Sequence, residues 1–169
     1  MITTSIEALK RLATYPLDAM LQEVGPLALV QKEVEKPAVR PHLFRTVETD
    51  LGGPKLARHA LSLMLGLDDG LVIPLGREAP EGAVVLGRAE GADVQLFDAS
   101  VSSRHAEVRW DGWKRAAWLK DLGSTNGTLV NGNVITGEVA LAEGNVITLG
   151  DNTAFLFLRT ETLYALVRK

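Results

Sequence analysis

Short apolar segments separated by turn signals fill the chain after about residue 61, and this pattern limits the fold more than any other feature. Asp-Gly or Asn-Gly pairs, which favour hairpin turns, occur at Asp111-Gly112, Asn126-Gly127 and Asn131-Gly132. The predicted strands are residues 84–86, 94–96, 106–110, 117–120, 129–130, 146–149 and 154–158. Many short strands at regular spacing predict an all-β sandwich or barrel and argue against a βαβ fold.

The stretch before these strands allows two interpretations. Apolar residues alternate over residues 61–67, a turn follows at Asp68-Asp69-Gly70, and residues 71–75 are apolar again, which together predict a hairpin. A helix over residues 55–67 is the alternative. The turn and the apolar run after it favour the strand.

The two ends of the chain have helical spacing instead. Apolar residues recur at intervals of three and four up to about residue 34, at Ile6, Leu9, Ala13, Leu17, Met20, Leu21 and Val24. Pro16 and Gly25-Pro26 divide this stretch, and Ser5 or Thr4 can cap its first helix. The predicted domains are an N-terminal helical extension and linker (1–54), a β-sandwich (55–159) and a short C-terminal helix (160–169).

Composition excludes several classes of function. The 169 residues are 46% hydrophobic and 23% charged, as in ordinary globular proteins. A net charge of −3 argues against a broad nucleic-acid surface. The absence of cysteine excludes disulfides and thiolate metal sites and fits a reducing compartment. Because no apolar run approaches the roughly 20 residues of a membrane span, and no signal-peptide pattern opens the chain, we expect a cytoplasmic protein without a membrane partner.

Residues 87–132 bring together the groups that bind phosphate. Arg88 can donate a forked pair of N–H groups, and Ser102 and Thr125 each offer a hydroxyl. A phosphate dianion is well hydrated, so its binding needs charge-assisted donors held ready. Asn126 carries both a donor and an acceptor, which suits the main chain of an extended peptide. This inventory predicts a phosphate site on loops of the sandwich.

The order of these motifs closely resembles the forkhead-associated (FHA) domain. The motifs are Gly87-Arg88, the run Asp98 to His105 with Val101-Ser102 inside it, the run Ser124 to Thr128, and Val130-Asn131-Gly132. The resemblance covers about residues 61–159. It implies an FHA-type β-sandwich that recognises phosphothreonine peptides in signal transduction by Ser/Thr protein kinases.

The resemblance also implies a role for each residue. Arg88, Ser102 and Thr125 would hold the phosphate, Ser103 would assist, and Asn126 would bond to the peptide main chain. Ser103 is a departure, since the family often has arginine or asparagine there. The residues implied to support the site are Gly87, His105, Gly127 and Asn131. A catalytic role for His105 is the alternative, but a core histidine that ties the Ser102 loop to neighbouring backbone is favoured.

An enzyme is disfavoured by the spacing of the same residues. Ser102 and His105, with Asp98 or Asp121, are a conceivable hydrolytic triad, but no Gly-x-Ser-x-Gly elbow surrounds the serine. Neither a nucleotide-binding Gly-Lys loop nor metal-spaced histidines are present, so we expect no catalysis, no metal and no cofactor. Of the three tryptophans, Trp113 is expected to be the most exposed, since it follows a turn.

Two functions remain after these exclusions. The first is phosphothreonine-dependent protein–protein interaction, with no nucleic-acid partner. The alternative is a phosphate-independent assembly module that acts through the N-terminal helical extension. An intramolecular ligand is also predicted, namely a phosphorylated threonine of the extension at Thr3, Thr4, Thr46 or Thr49.

Overall fold

The computed structural model describes residues 3–32 and 71–168, which form a β-sandwich with a layer of helices. The first strands are β1 (Thr4–Ser5), β2 (Leu27–Lys32), β3 (Leu71–Leu75), β4 (Glu81–Gly87), β5 (Val94–Gln95) and β6 (Ala106–Asp111). The others are β7 (Ala116–Asp121), β8 (Thr128–Val130), β9 (Asn133–Val134), β10 (Val139–Leu141), β11 (Val146–Leu149) and β12 (Thr153–Arg159). The helices are α1 (Ile6–Leu12), α2 (Leu17–Val24) and α3 (Thr160–Val167).

The strands form two sheets. The order is β1-β3-β2-β12-β11-β8-β9 in the seven-stranded sheet and β10-β7-β6-β4-β5 in the five-stranded sheet. All pairs are antiparallel except β4 with β5, which are parallel. The all-β sandwich and the short C-terminal helix that the sequence predicts are confirmed.

The core between the sheets comes from alternate positions of facing strands. The seven-stranded sheet contributes Leu29 of β2 and Phe155 of β12, and the five-stranded sheet contributes Leu86 of β4 and Leu119 of β7. In strands the side chains alternate between faces, so the intervening residues point away from this core. Burial of these apolar side chains removes them from water and is the main force holding the two sheets together.

A second core lies on the outer face of the seven-stranded sheet, where the helices pack. Val30 of β2 and Leu156 of β12 meet Leu9 of α1, Met20 of α2 and Leu163 of α3. Five of the seven periodic apolar residues of the N-terminal segment are therefore buried in this core, and Leu17 and Leu21 are half-buried. None of the helices in residues 3–32 and 71–168 is both long and apolar enough to cross a membrane.

The prediction that helical structure continues to about residue 34 was wrong for residues 27–32. These residues form β2, which lies inside the sheet between β3 and β12. Both faces of β2 are covered over residues 27–30, the inner face by the sandwich core and the outer face by the helices, so these four residues are all apolar. The predicted linker, the strand or helix before residue 68 and the turn at 68–70 lie outside the described residues.

Candidate functional site

Three loops meet at one end of the sandwich and bring together the residues predicted to bind phosphate. The loops connect β4 to β5, β5 to β6 and β7 to β8. The backbone N–H of Arg88 donates to the carbonyl oxygen of Ser102 at 2.9 Å, which joins the first loop to the second. The backbone N–H of Thr125 donates to Oγ of Ser102 at 3.0 Å, and Nδ2 of Asn126 donates to the carbonyl oxygen of Ser100 at 2.8 Å. The third loop is thereby joined to the second.

Arg88 is exposed, and its guanidinium is oriented by one internal hydrogen bond. Nε donates to the carbonyl oxygen of Val101 at 3.1 Å, whereas the two terminal nitrogens have no partner among the described residues. The preceding Gly87 is buried against the backbone of the next loop. A Cβ atom at Gly87 would lie 2.2 Å from the carbonyl oxygen of Ser103. Only glycine therefore permits this close approach, which positions Arg88.

The hydroxyl groups of the site donate to no acceptor among the described residues. Oγ of Ser102 already accepts the Thr125 N–H, which leaves its hydroxyl hydrogen available. Thr125 and Ser103 are exposed, and their hydroxyls have no partner in the part of the chain that the structure describes. Asn126 is exposed too, and one of its N–H groups is used internally, so its Oδ1 and its second N–H face no described partner.

His105 is fully buried and links two of the loops through both ring nitrogens. Nδ1 accepts the backbone N–H of Ser102 at 3.0 Å, and Nε2 donates to the carbonyl oxygen of Gly127 at 2.9 Å. These partners assign the ring hydrogen to Nε2. The histidine contacts the Ser102 backbone and not its hydroxyl, so the two side chains do not form a nucleophile–base pair.

Two aspartates organise the loops, a role that the sequence interpretation missed. Oδ1 of Asp98 accepts from the backbone N–H and the hydroxyl of Ser100, at 2.9 and 2.7 Å. Its Oδ2 accepts from the hydroxyl of Thr153 at 2.8 Å, which ties the second loop to β12. The signal in the sequence is Asp-x-Ser, since aspartate readily accepts the N–H two residues later in turns.

Asp121 does the same for the third loop. Oδ1 accepts the backbone N–H groups of Gly123 and Ser124, at 2.8 and 2.9 Å. Oδ2 accepts the hydroxyls of Ser124 and Thr128, at 2.5 and 2.6 Å. Oγ of Ser124 in turn accepts the backbone N–H of Gly127 at 3.0 Å. This carboxylate therefore holds the turn that carries Thr125 in one conformation.

Both aspartates make the stability of the protein depend on pH. Burial raises the pKa of each carboxyl group. At Asp98 the hydrogen bonds from Ser100 and Thr153 outweigh burial and lower the pKa from its ordinary value of 3.8. At Asp121 the hydrogen bonds from Ser124 and Thr128 have the same effect. A lowered folded-state pKa adds stability that is complete above the unfolded-state value near 4 and is lost as pH falls through the folded value. We expect the thermal midpoint of the unchanged protein to decrease once the pH is lowered below about 4. The Asp121→Asn variant should have a lower midpoint already at pH 7 and should lose less on further acidification.

Thermal unfolding from pH 7 to 2.5 tests this, with Asp151→Asn as the control because that side chain is exposed and makes no hydrogen bond to the described residues. If the thermal midpoints of Asp121→Asn and of the unchanged protein decrease equally with falling pH, the lowered pKa of Asp121 does not contribute to stability.

Asn131 lies outside the cluster of phosphate-binding candidates. It and Gly132 have φ of 51° and 80°, which match the type I′ turn that joins β8 to β9. Oδ1 of Asn131 accepts the backbone N–H of Val146 in β11 at 2.9 Å. Asn131 thus supports the edge of the seven-stranded sheet that carries the third loop.

Comparison with known proteins identifies relatives of this region. Residues 84–150 match the family model of the FHA domain. FhaA of Mycobacterium tuberculosis is 48% identical over 91 residues, which cover 53% of this chain and 16% of FhaA. The FhaA FHA domain, solved in complex with the intracellular domain of Rv3910, is 40% identical, with a TM-score of 0.45 and coverage of 54% of this chain and 90% of that one.

A second similar structure is Mycobacterium tuberculosis EmbR in complex with a low affinity phosphopeptide. It is 30% identical, with a TM-score of 0.45, and the match covers 56% of this chain and 22% of EmbR. The chain spans between 14% and 20% of the length of the first three curated relatives it matches.

Proposed function

Because this chain belongs to the forkhead-associated family, we propose that it recognises a phosphothreonine-containing protein segment produced by a Ser/Thr protein kinase. The observation that supports this is the convergence of Arg88, Ser102 and Thr125 on one rim, with their donors unpaired among the described residues. Donors that are already oriented before binding lose little freedom when the ligand arrives, which favours affinity. A phosphate dianion is the ligand that this donor set fits.

The charges around the rim favour the same ligand. The carboxylates of Asp98 and Asp121 lie in these loops, but three N–H or O–H groups donate to the first and four to the second. Hydrogen bonds from donors spread and offset the negative charge of a carboxylate. Besides Asp93, whose carboxylate accepts a backbone N–H, the exposed charged side chains of the first two loops are then Arg88, Arg104 and Glu90, two cations and one carboxylate.

Phosphothreonine is proposed over phosphoserine on the basis of the family resemblance. The extra methyl group would fill a small apolar space, and its burial is worth about 1 kcal/mol. A degenerate phosphothreonine peptide library against the purified chain, with phosphoserine and unphosphorylated libraries as controls, tests the proposal. We expect enrichment from the phosphothreonine library alone. Equal retention of the unphosphorylated peptides would overturn the proposal.

Neither catalysis nor the alternative assembly function is favoured by an observation at these residues. Both nitrogens of His105 are engaged away from the Ser102 hydroxyl, which supports the prediction of a protein that binds and does not catalyse. The apolar faces of α1 and α2 are buried by the protein's own sheet, which leaves an assembly module less apolar surface to use. A cytoplasmic location stays a prediction from the cysteine-free composition.

The intramolecular ligand also stays a prediction, and the ends of β2 and β3 support it. Lys32 at the end of β2 pairs with Ala154 of β12. The residue before Ala154 is Thr153, whose hydroxyl donates to Asp98 of the site. Gln31 pairs with Leu71, the first residue of β3. Residues 33–70 are therefore attached to the sandwich at the end that carries the site. An attached phosphothreonine competes at an effective concentration that can reach about millimolar.

Thr46 and Thr49 lie within that segment, outside the described residues. We expect a protein phosphorylated there to lose most of its affinity for an external peptide, measured before and after kinase treatment. A variant with alanine at both positions should keep its affinity after the same treatment. Unchanged affinity after confirmed phosphorylation would exclude the intramolecular ligand.

A further inference from the structure

Exposed apolar side chains lie next to the phosphate-binding loops. Among the described residues the large apolar side chains that are exposed are Tyr15, Phe97, Trp113 and Val134. Phe97 is 92% exposed and belongs to the loop between β5 and β6, which also carries Ser102. A phenylalanine ring gains free energy when it leaves water, so a ring this exposed is suited to contact a partner.

The backbone on both sides of Phe97 is fixed. Before it, the N–H of Leu96 donates to the carbonyl oxygen of Gly87 at 2.8 Å, directly next to Arg88. After it, the carboxylate of Asp98 is held by Ser100 and by Thr153. The ring therefore extends into solvent from an ordered position beside the arginine, and binding would not need to order the loop.

Val134 has a similar position beside the third loop. It is 65% exposed in β9, the last strand of the seven-stranded sheet. A Cβ atom at Gly127 would lie 3.9 Å from Cγ1 of Val134, so the valine is next to the residue that follows Asn126. Phe97 thus lies beside the loop of Arg88, and Val134 lies beside the loop of Asn126.

We propose that Phe97 is a specificity-determining residue, which packs against an apolar side chain that flanks the phosphothreonine of the recognised segment. Val134 adds a smaller apolar contact on the Asn126 side. This inference rests on the proposed function, because it places Phe97 at the edge of the same site. Aromatic side chains are frequent anchors of protein interfaces. A single ring cannot fix the orientation of a bound peptide, and the polar contacts of Arg88, Ser102 and Thr125 with the phosphothreonine would do so.

The test uses phosphothreonine peptides that differ only beside the phosphothreonine, taken from the library that binds the intact chain. One set has leucine or phenylalanine at each flanking position in turn, and the other has alanine there. We expect the intact chain to bind the best apolar peptide about tenfold more tightly than its alanine counterpart. Phe97→Ser should abolish this preference while its affinity for the alanine peptide stays the same.

Trp113→Ser is the matched control. Trp113 is 79% exposed and lies in the turn that follows Asp111, the last residue of β6. The site adjoins the other end of β6, at Ala106, so Trp113 lies away from the site. The control should bind both peptides as the intact chain does, and both variants should keep the thermal midpoint because each loses an exposed side chain.

The outcomes separate this inference from the proposed function. Failure of every phosphothreonine peptide to bind would overturn both. Binding without an apolar preference, or a preference that survives Phe97→Ser, would overturn the role of Phe97 and leave the proposed function standing. An apolar preference that persists with unphosphorylated peptides would assign Phe97 to a phosphate-independent surface and also overturn the inference.

Discussion

Replacement of Arg88 by alanine is expected to lower the affinity for a phosphothreonine peptide by about 100-fold or more. The terminal nitrogens of Arg88 have no partner among the described residues, so both are available to the phosphate. Each charge-assisted hydrogen bond contributes about 1.5–3 kcal/mol, and the alanine variant loses a pair of them. Stability should hardly change, because the side chain is exposed and loses one internal bond, to Val101.

Titration calorimetry with a library-selected peptide measures the affinity, and thermal unfolding measures the stability. Arg109→Ala is the matched control, since Arg109 lies on β6 and pairs with Glu138, away from the three loops. Arg88→Lys should recover part of the affinity, because lysine keeps the charge but not the forked geometry. If Arg88→Ala keeps its thermal midpoint and binds the peptide normally, Arg88 is not the phosphate ligand.

Replacement of His105 by alanine is expected to act in the opposite order, on stability first. The change leaves the backbone N–H of Ser102 without its acceptor, and it leaves the carbonyl oxygen of Gly127 with the long bond from the Gly150 N–H at 3.5 Å. Each unsatisfied buried group costs about 1–3 kcal/mol, and the cavity adds to that, so we expect a loss of about 3 kcal/mol or more. Peptide affinity should fall only as a consequence of the loosened loops.

Chemical denaturation with a fitted free energy of unfolding measures this loss. Arg104→Ala, at the exposed neighbouring position, is the control and should change stability by less than about 0.5 kcal/mol. A His105→Ala variant that keeps its stability but no longer binds would instead indicate direct contact between the histidine and the ligand.

The strands predicted from the sequence are the ones with a recognisable pattern. Between residues 84 and 158 each of them is present within a few residues of its predicted bounds. β2 was missed because it is buried on both faces and has no alternation, and it follows helical spacing without a clear boundary. β9 and β10 were missed because they are short, and only Leu141 among their residues is buried.

The sequence predicted which residues form the candidate site but not the hydrogen bonds that hold its loops. Arg88, Ser102, Thr125 and Asn126 were selected from ordered motifs, and the fold places them on adjoining loops. The hydrogen bonds of Asp121 could not be derived from spacing alone, because they depend on how the turn after β7 is folded. For the same reason the sequence alone allows Asp98 or Asp121 as a catalytic partner, whereas in the structure both carboxylates accept hydrogen bonds from their own loops.

The central position of β2 also has a consequence for how the chain folds. β2 pairs along its whole length with β12, so Leu27 lies opposite Arg159, nearly the whole described chain away. Pairing of segments this distant raises the contact order, and high contact order slows folding. During synthesis the seven-stranded sheet is incomplete until its last strand has left the ribosome, and until then β2 lacks one neighbour and exposes an apolar edge. Loss of residues 153–159 is therefore expected to leave β2 paired with β3 alone.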